Sequence, residues 1–97
     1  MPTYVSLINW TDQGIKNFKD TTHRAQDFTN SVEKTGGHVR ELVWTVGECD
    51  MVCVVDFPDD ESLTASMLQV GGLGNIRTRT MRAFDARQMQ GVIDRTG

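Results

Sequence analysis

The middle of the chain constrains the fold most strongly, because two strand-like segments follow each other there with almost nothing between them. Residues 38–46 and 49–57 are both rich in β-branched and other apolar side chains, and only Gly47 and Glu48 separate them. Two such strands joined by a two-residue turn form an antiparallel hairpin. Any fold of this chain must therefore place the two segments side by side in one sheet.

A strand and a long helix precede the hairpin. Residues 4–10 are rich in β-branched and aromatic residues, which predicts a first strand. Apolar residues then recur at three- and four-residue steps, which places Ile15 and Phe18 on the same helical face as Phe28 and Val32.

The ends of this helix are marked by residues that favour caps. Thr11 or Asp12 can accept a bond from a free backbone N–H at the start, and Gly36 can adopt the left-handed conformation that ends a helix. A helix of this length would be about 36 Å long, which exceeds strands of ~30 Å. Residues 20–22 favour helix poorly. We therefore expect a break there, with Thr21 or Thr22 capping the second part.

A second helix and strand follow the hairpin. Pro58 ends the third strand, and acidic residues 59–61 suit the positive N-terminal end of a helix. The glycines of residues 71–74 close that helix, and residues 75–84 predict a fourth strand. A short helix from Asp85 to about Arg95 ends the chain.

The resulting order is β-α-β-β-α-β with a short C-terminal helix. We expect an α+β, ferredoxin-like fold, in which a four-stranded antiparallel sheet carries both main helices on one face. The length of 97 residues predicts one domain over residues 1–97.

Side-chain alternation predicts an apolar patch on the face without helices. On the third strand Met51, Cys53 and Val55 share one apolar face, which must pack under the helices. The helix-free face is expected to carry Ile8, Trp10, Val52 and Val54. Such a patch usually marks an interface, so we expect two sheets to meet in a homodimer or higher homo-oligomer. Alternatively, the C-terminal helix folds back over part of this face.

Composition excludes several classes of partner. Ten Lys and Arg residues against thirteen Asp and Glu residues give a net charge of −3, which argues against nucleic-acid binding. No apolar run approaches the ~20 residues that span a bilayer, and residues 1–4 lack the start of a signal peptide. Cys49 and Cys53 lie about 13 Å apart on a strand, too far to bridge. These features predict a cytoplasmic protein with buried thiols.

Motifs dispersed over residues 4–84 resemble the GYD domain family. They are Trp10-Thr11-Asp12-Gln13-Gly14-Ile15, Arg24-Ala25, Gly36-Gly37, Trp44-Thr45, Gly47, Asp50, Pro58-Asp59-Asp60, Gly72-Leu73-Gly74-Asn75-Ile76-Arg77-Thr78 and Arg82-Ala83-Phe84. The resemblance implies a member of the dimeric α/β-barrel superfamily, which includes cofactor-free monooxygenases, isomerases and oligomeric proteins without assigned activity. The family's signature has a tyrosine just before the aspartate, where this chain has Cys49.

Three functions follow as hypotheses. The first is a small oligomeric protein that binds a small organic ligand between sheet and helices, in a pocket lined by Tyr4, Trp10, Trp44 and Asp50. The second is a cofactor-independent monooxygenase or isomerase. The third is a structural or interaction module without a ligand.

Catalytic candidates are few. His23 could act as a general base near the helix break, or it could be a surface residue. Asp50 could be a carboxylate with a raised pKa in a cleft, or it could fix the Gly47 turn through backbone N–H groups. Arg77 could bind an anion, or it could protect an edge strand. Because no HxH, HExxH or CxxC spacing occurs, we expect neither a metal nor a cofactor.

Overall fold

Four strands and four α-helices account for most of the chain in the computed structural model, which describes all 97 residues. The strands are β1 (Thr3–Trp10), β2 (His38–Trp44), β3 (Met51–Asp56) and β4 (Ile76–Ala83). The helices are α1 (Asp12–Lys16), α2 (Thr21–Lys34), α3 (Asp60–Gly72) and α4 (Ala86–Asp94). The strands form one antiparallel sheet in the order β2-β3-β1-β4. This arrangement confirms the predicted ferredoxin-like α+β fold.

The core lies between this sheet and the helices α2 and α3. Val55 and Phe57 from the β3 side and Val32 from α2 are fully buried there. The predicted inward face of β3 is therefore confirmed. No helix of the structure is both long enough and apolar enough to cross a lipid bilayer.

The face prediction for β1 was wrong. Tyr4 lies opposite Val55 and Ile8 lies opposite Met51, so both point toward the helices and are buried. Trp10 follows them on the same side, by alternation along the strand. The face without helices instead carries the partly exposed Val5 and Leu7 beside Val54 and Val52. Since β1 is apolar on both faces, its sequence pattern did not decide which face turns inward.

The predicted break in the first helical segment is confirmed. The helix α1 ends at Lys16, a three-residue 3-10 turn spans Phe18–Asp20, and α2 begins at Thr21. The break turns Ile15 and Phe18 away from the core, and about half of each remains exposed. The expectation that they share a buried face with Val32 was therefore wrong.

The helix caps agree with the sequence in most places. Thr11 accepts a hydrogen bond from Gly14 at the start of α1, and Asp59 accepts one from Ser62 at the start of α3. Asp85 and Gln88 form a reciprocal capping box at the start of α4.

Neither Thr21 nor Thr22 caps α2, whose N-cap position is Asp20 without a side-chain bond. Residue 36 has a φ of +84°, which explains the glycine there.

The hairpin turn is longer than predicted. Strand β2 ends at Trp44 and β3 begins at Met51, so six residues connect them instead of two. The Thr45 amide closes this loop by donating to the Asp50 carbonyl over 2.9 Å. The Asp50 amide donates to the Ile8 carbonyl, also over 2.9 Å. This hydrogen bond ties the end of the loop to β1.

The helix α4 does not cover the open face of the sheet. Every residue from Phe84 to the end of the chain is exposed, including Met89, Val92 and Ile93. The alternative in which this helix folds back over the sheet is therefore wrong. The molecule is elongated, with a longest dimension of 52 Å.

Gly14 is required by a close contact between two backbone segments. It is buried in α1, and a Cβ atom placed there would lie 2.0 Å from the Asn75 carbonyl oxygen. The Thr11 amide donates to that same oxygen over 3.1 Å, so this contact joins the start of α1 to the start of β4. A side chain at position 14 would separate the two segments.

We expect Gly14→Ala to lower the free energy of unfolding by roughly 1–3 kcal/mol, because overpacking forces the backbone to shift. Gly71→Ala is the matched control, since it lies in α3 with open space around its Cβ position. Its expected effect is neutral or stabilising by roughly 0.5–1 kcal/mol. Urea denaturation measures both variants, and equal stability of the two would contradict the close contact.

Candidate functional site

A cleft lies between the sheet and its two main helices. Helix α2 packs against β2 and helix α3 packs against β4, so the centre of the sheet lies under the gap between them. The cleft has a volume of about 300 Å³. Twelve of its twenty-one lining residues are hydrophobic, which makes it suitable for an apolar molecule.

The sheet forms the floor of the cleft and the helices form its walls. The floor includes Ile8, Trp10, Met51, Cys53, Val55 and Thr78. The walls include Arg24, Ala25 and Phe28 from α2, and Met67 and Val70 from α3. At the base of the cleft, the side chains of Ile8, Met51, Cys53 and Val55 are buried.

Trp10 is fixed at the end of β1 by the loop that precedes β3. Its backbone N–H donates to the Asp50 carboxylate over 2.9 Å, and it lies opposite Ile76 of β4. Its indole Nε1 is buried and has no hydrogen-bond partner in the protein. Buried donors are nearly always paired, so this unpaired N–H is an exception within the structure.

Several polar side chains that line the cleft are bonded to other parts of the protein. Ser6 shares a hydrogen bond of 2.9 Å with Thr80, and Thr21 accepts one of 3.0 Å from the Trp44 indole. Arg24 donates to the carbonyls of Asn17 and Gly14 over 2.8 and 3.3 Å. The guanidinium thereby satisfies carbonyls at the end of α1 and also borders the cleft.

The structure places the four predicted ligand-binding residues at different sites. Trp10 lines the cleft, whereas Tyr4, Trp44 and Asp50 are not among its lining residues. Tyr4 is buried beside Phe57 and donates to the Asp60 carboxylate. Burial and this hydrogen bond raise the pKa of Tyr4 to about 12. Trp44 is partly exposed and contacts α2 through Thr21.

The three catalytic candidates are not brought together. His23 is exposed on α2 and lies 3.5 Å from Asp27. Asp50 binds the Trp10 backbone, and so ties the loop to β1 instead of fixing the Gly47 turn through N–H groups. Arg77 is exposed on β4, opposite Asn9 on the open side of the sheet. None of the three lines the cleft.

Two titratable groups of β3 have shifted pKa values. Burial raises the pKa of the Cys53 thiol to about 11, so it stays protonated near neutral pH and is a poor nucleophile. Burial acts to raise the pKa of Asp56, but hydrogen bonds from Thr3 and Arg40 outweigh it and hold that pKa below its usual value. Asp56 is thus a structural carboxylate that joins β1, β2 and β3. No group of three or more His, Cys, Asp or Glu side chains is placed to hold a metal ion.

Sequence reasoning did not identify most of the lining residues. Arg24, Met67 and Thr78 lie on three different elements, and nothing in their local spacing connects them. The periodicity placed Phe28 on the apolar face of its helix, and the structure shows that Phe28 also lines the cleft. The cleft arises where α2 and α3 separate, and that separation has no local sequence signal.

The sequence matches the profile of the GYD domain over residues 4–93. The chain belongs to the GYD domain family. A relative from Thermus thermophilus, described as a glutamine synthetase and cystathionine beta-lyase binding protein, is 27% identical over 85 residues. That match covers 87% of this chain and 90% of the relative.

A solved structure supports the same assignment. The crystal structure of TTHA0845 from Thermus thermophilus is similar to this GYD domain, with a TM-score of 0.57 and 26% identity. The match covers 89% of this chain and 96% of that chain. The ferredoxin-like arrangement of strands and helices is thus shared with an experimentally determined relative.

Proposed function

We propose that this GYD-domain protein binds a small organic ligand in the cleft between its sheet and its helices. The observation that carries the proposal is the cleft itself, whose lining is mostly hydrophobic side chains of the sheet and of helices α2 and α3. A cleft of about 300 Å³ lies at the lower end of the size range of ligand sites. The separation of His23, Asp50 and Arg77 supports binding in preference to the enzymatic alternative.

We expect the purified protein to release a small molecule on collisional activation in native mass spectrometry. Thr78→Phe should lower the bound fraction at least about tenfold, because a large side chain in the floor fills the cleft. Thr78→Val is the matched control, since it keeps the shape of the side chain and should retain binding. Equal occupancy in Thr78→Phe and in the unaltered protein would contradict a ligand site in the cleft.

The open face of the sheet supports pairing with a second copy of this chain. Val5, Leu7, Val52 and Val54 lie in its centre and are only partly covered. The exposed surface is 6566 Å² for a chain of 10.9 kDa, whereas a compact monomer of that mass exposes about 5600 Å². This excess of exposed surface is similar to the ~800 Å² that each partner buries in a standard interface. Part of the excess surface belongs to α4.

The charges at the borders of this face favour a second copy as its partner. Glu41 lies on the outer strand β2, and Arg77 and Arg79 lie on the opposite outer strand β4. Two copies related by a twofold axis parallel to the strands would place each Glu41 over β4 of the other copy, two residues along the strand from Arg79. Such a face is complementary to itself in both polarity and charge.

We expect a dimer, or a higher oligomer built from dimers, in size-exclusion chromatography with light scattering. Val52→Lys should yield monomers, because it places a charge in the centre of the apolar face. Asn30→Lys adds the same charge on an exposed position of α2 and should leave the oligomer unchanged. A monomeric unaltered protein, or an intact Val52→Lys oligomer, would contradict this interface.

A second candidate function is association with metabolic enzymes, which is favoured by the description of the Thermus thermophilus relative. The exposed helix α4 supports this candidate, because Met89, Val92 and Ile93 contact none of the protein's own core. An amphipathic helix with one apolar side commonly binds in a groove of a partner.

If this candidate is correct, a purified glutamine synthetase should coelute with the protein in size-exclusion chromatography. Val92→Glu should weaken that association at least about tenfold, because a charge would enter a buried apolar contact. Gln90→Glu is the control, since it adds the same charge at another exposed position of α4. Coelution that is insensitive to Val92→Glu would exclude α4 as the contact.

The free thiols of Cys49 and Cys53 agree with the reducing compartment predicted from the sequence. A cytoplasmic location remains a prediction.

A further inference from the structure

A second, smaller cavity adjoins the cleft between helices α2 and α3. It has a volume of about 190 Å³ and is lined by Ser31, Thr35, Ser62, Ala65, Ser66 and Gln69. Ser31, Ser66 and Gln69 also line the cleft, so the two spaces adjoin each other. We call the smaller space the polar cavity, because five of its six lining residues carry a hydroxyl or an amide group.

The polar cavity has side chains that are free to bind a ligand. Ser31 and Ser66 are partly buried, and neither hydroxyl forms a hydrogen bond within the protein. The Gln69 amide has no protein partner either, whereas the Thr35 hydroxyl donates to the Val32 carbonyl over 2.7 Å. A hydroxyl and an amide can each donate and accept. These side chains therefore suit a ligand group that also does both, such as a hydroxyl.

The charges around the two spaces disfavour an ionised ligand. No charged side chain lines the polar cavity, and the cleft has two of opposite sign, Arg24 and Asp27. Arg24 already donates to the carbonyls of Asn17 and Gly14, and Asp27 lies 3.5 Å from His23. Because a charge is costly to bury unless it is paired, an ionised ligand would lose its hydration here without gaining a partner.

We propose that the cleft and the polar cavity together bind an uncharged amphiphilic molecule. Its apolar chain contacts Phe28, Met51 and Met67 in the cleft, and its hydroxyl-bearing head group bonds to Ser31 and Ser66. This inference rests on the proposed ligand-binding function, and it names the chemical class of the ligand. It is carried by the division between a mostly hydrophobic cleft and an adjoining polar cavity without charged residues.

Probes that share one chain but differ in their head groups test this chemistry. Octyl glucoside has an uncharged polyhydroxyl head, octyl sulfate has an anionic head, and octyltrimethylammonium has a cationic head. Methyl glucoside has the sugar head without the chain. Each probe is used below its micelle-forming concentration, and dissociation constants are measured by NMR titration.

Two variants are compared with the unaltered protein in these titrations. Ser66→Ala removes one hydroxyl from the polar cavity. Thr22→Ala is the control, since it removes a hydroxyl from an exposed position of α2 that lines neither space. The backbone amide signals of Ser31 and Ser66 in the unaltered protein provide a second measurement that does not depend on a variant.

We expect octyl glucoside to bind most tightly and to move the amide signals of Ser31 and Ser66. Ser66→Ala should weaken its binding about fivefold, as for the loss of one neutral hydrogen bond, and Thr22→Ala should leave it unchanged. Octyl sulfate and octyltrimethylammonium should bind at least about tenfold more weakly, because their charges lose hydration. Methyl glucoside should also bind at least about tenfold more weakly, since it lacks the apolar chain.

Three results would overturn the inference. In the first, a charged probe binds most tightly. In the second, octyl glucoside binds, but Ser66→Ala does not change its affinity and the Ser31 and Ser66 signals do not move. Either result leaves the cleft as a ligand site if Thr78→Phe weakens the binding. In the third, methyl glucoside binds as tightly as octyl glucoside, so that the chain contributes nothing.

The titrations also separate this inference from the proposed function. If no octyl probe binds in a manner sensitive to Thr78→Phe, the inference of an amphiphilic ligand fails. The proposed function fails with it only if native mass spectrometry also releases no small molecule from the purified protein.

Discussion

The register of β1 between its two neighbours is the constraint on which the rest of the structure depends. Tyr4 faces Val55 across one ladder and Arg82 across the other, so β1 is one of the two central strands, and its register decides which of its side chains enter the core. A slip by one residue would exchange the two faces. Val5 and Leu7 would then enter the core, and Trp10 would leave the cleft.

Several polar contacts hold this register. The Asp50 carboxylate accepts from the Trp10 amide, while the Asp50 amide donates to the Ile8 carbonyl. Near the other end of the strand, Thr3 donates to Asp56 over 2.6 Å, and Arg40 approaches the same carboxylate to 2.7 Å. Since Asp56 is almost fully buried, removing either donor would leave a buried charge with fewer partners, which is costly. The two ends of β1 are thus fixed by two carboxylates of the β3 region.

The break before α2 positions one wall of the cleft against the sheet. A continuous helix from Asp12 would be longer than the sheet, and the 3-10 turn at Phe18–Asp20 resolves this mismatch. Arg24 then bonds back to the end of α1, and its side chain borders the cleft. The position of Gly14 against the Asn75 carbonyl fixes α1 on the start of β4. The wall of the cleft is therefore a consequence of how the chain fits a long helical segment onto short strands.

The sequence predicted the order of the elements, the helix break and the inner face of β3, because each of these has a local signal. Glycine, proline and capping residues mark the ends of elements, and the face of β3 is apolar at every second position. No local signal indicated which face of β1 turns toward the helices or which residues line the cleft. Both depend on pairing between distant segments, as shown by Tyr4 and Val55, which are brought together only by the register of the sheet. The length of the hairpin loop was missed because Asp50 bonds to β1, a contact that no local pattern in the loop records.

The apolar character of both faces of β1, which made its orientation ambiguous, is itself informative about function. A strand in a sheet with one solvated face normally alternates apolar with polar residues. Here Ile8 and Trp10 face the helices, while Val5 and Leu7 face the open side beside Val54 and Val52. Val5 and Leu7 therefore depart from this alternation, since both are apolar and partly exposed on the open side. One strand thus contributes to two surfaces, the cleft on its helix side and the partly exposed apolar face on its open side, and the alternation of its side chains keeps the two separate.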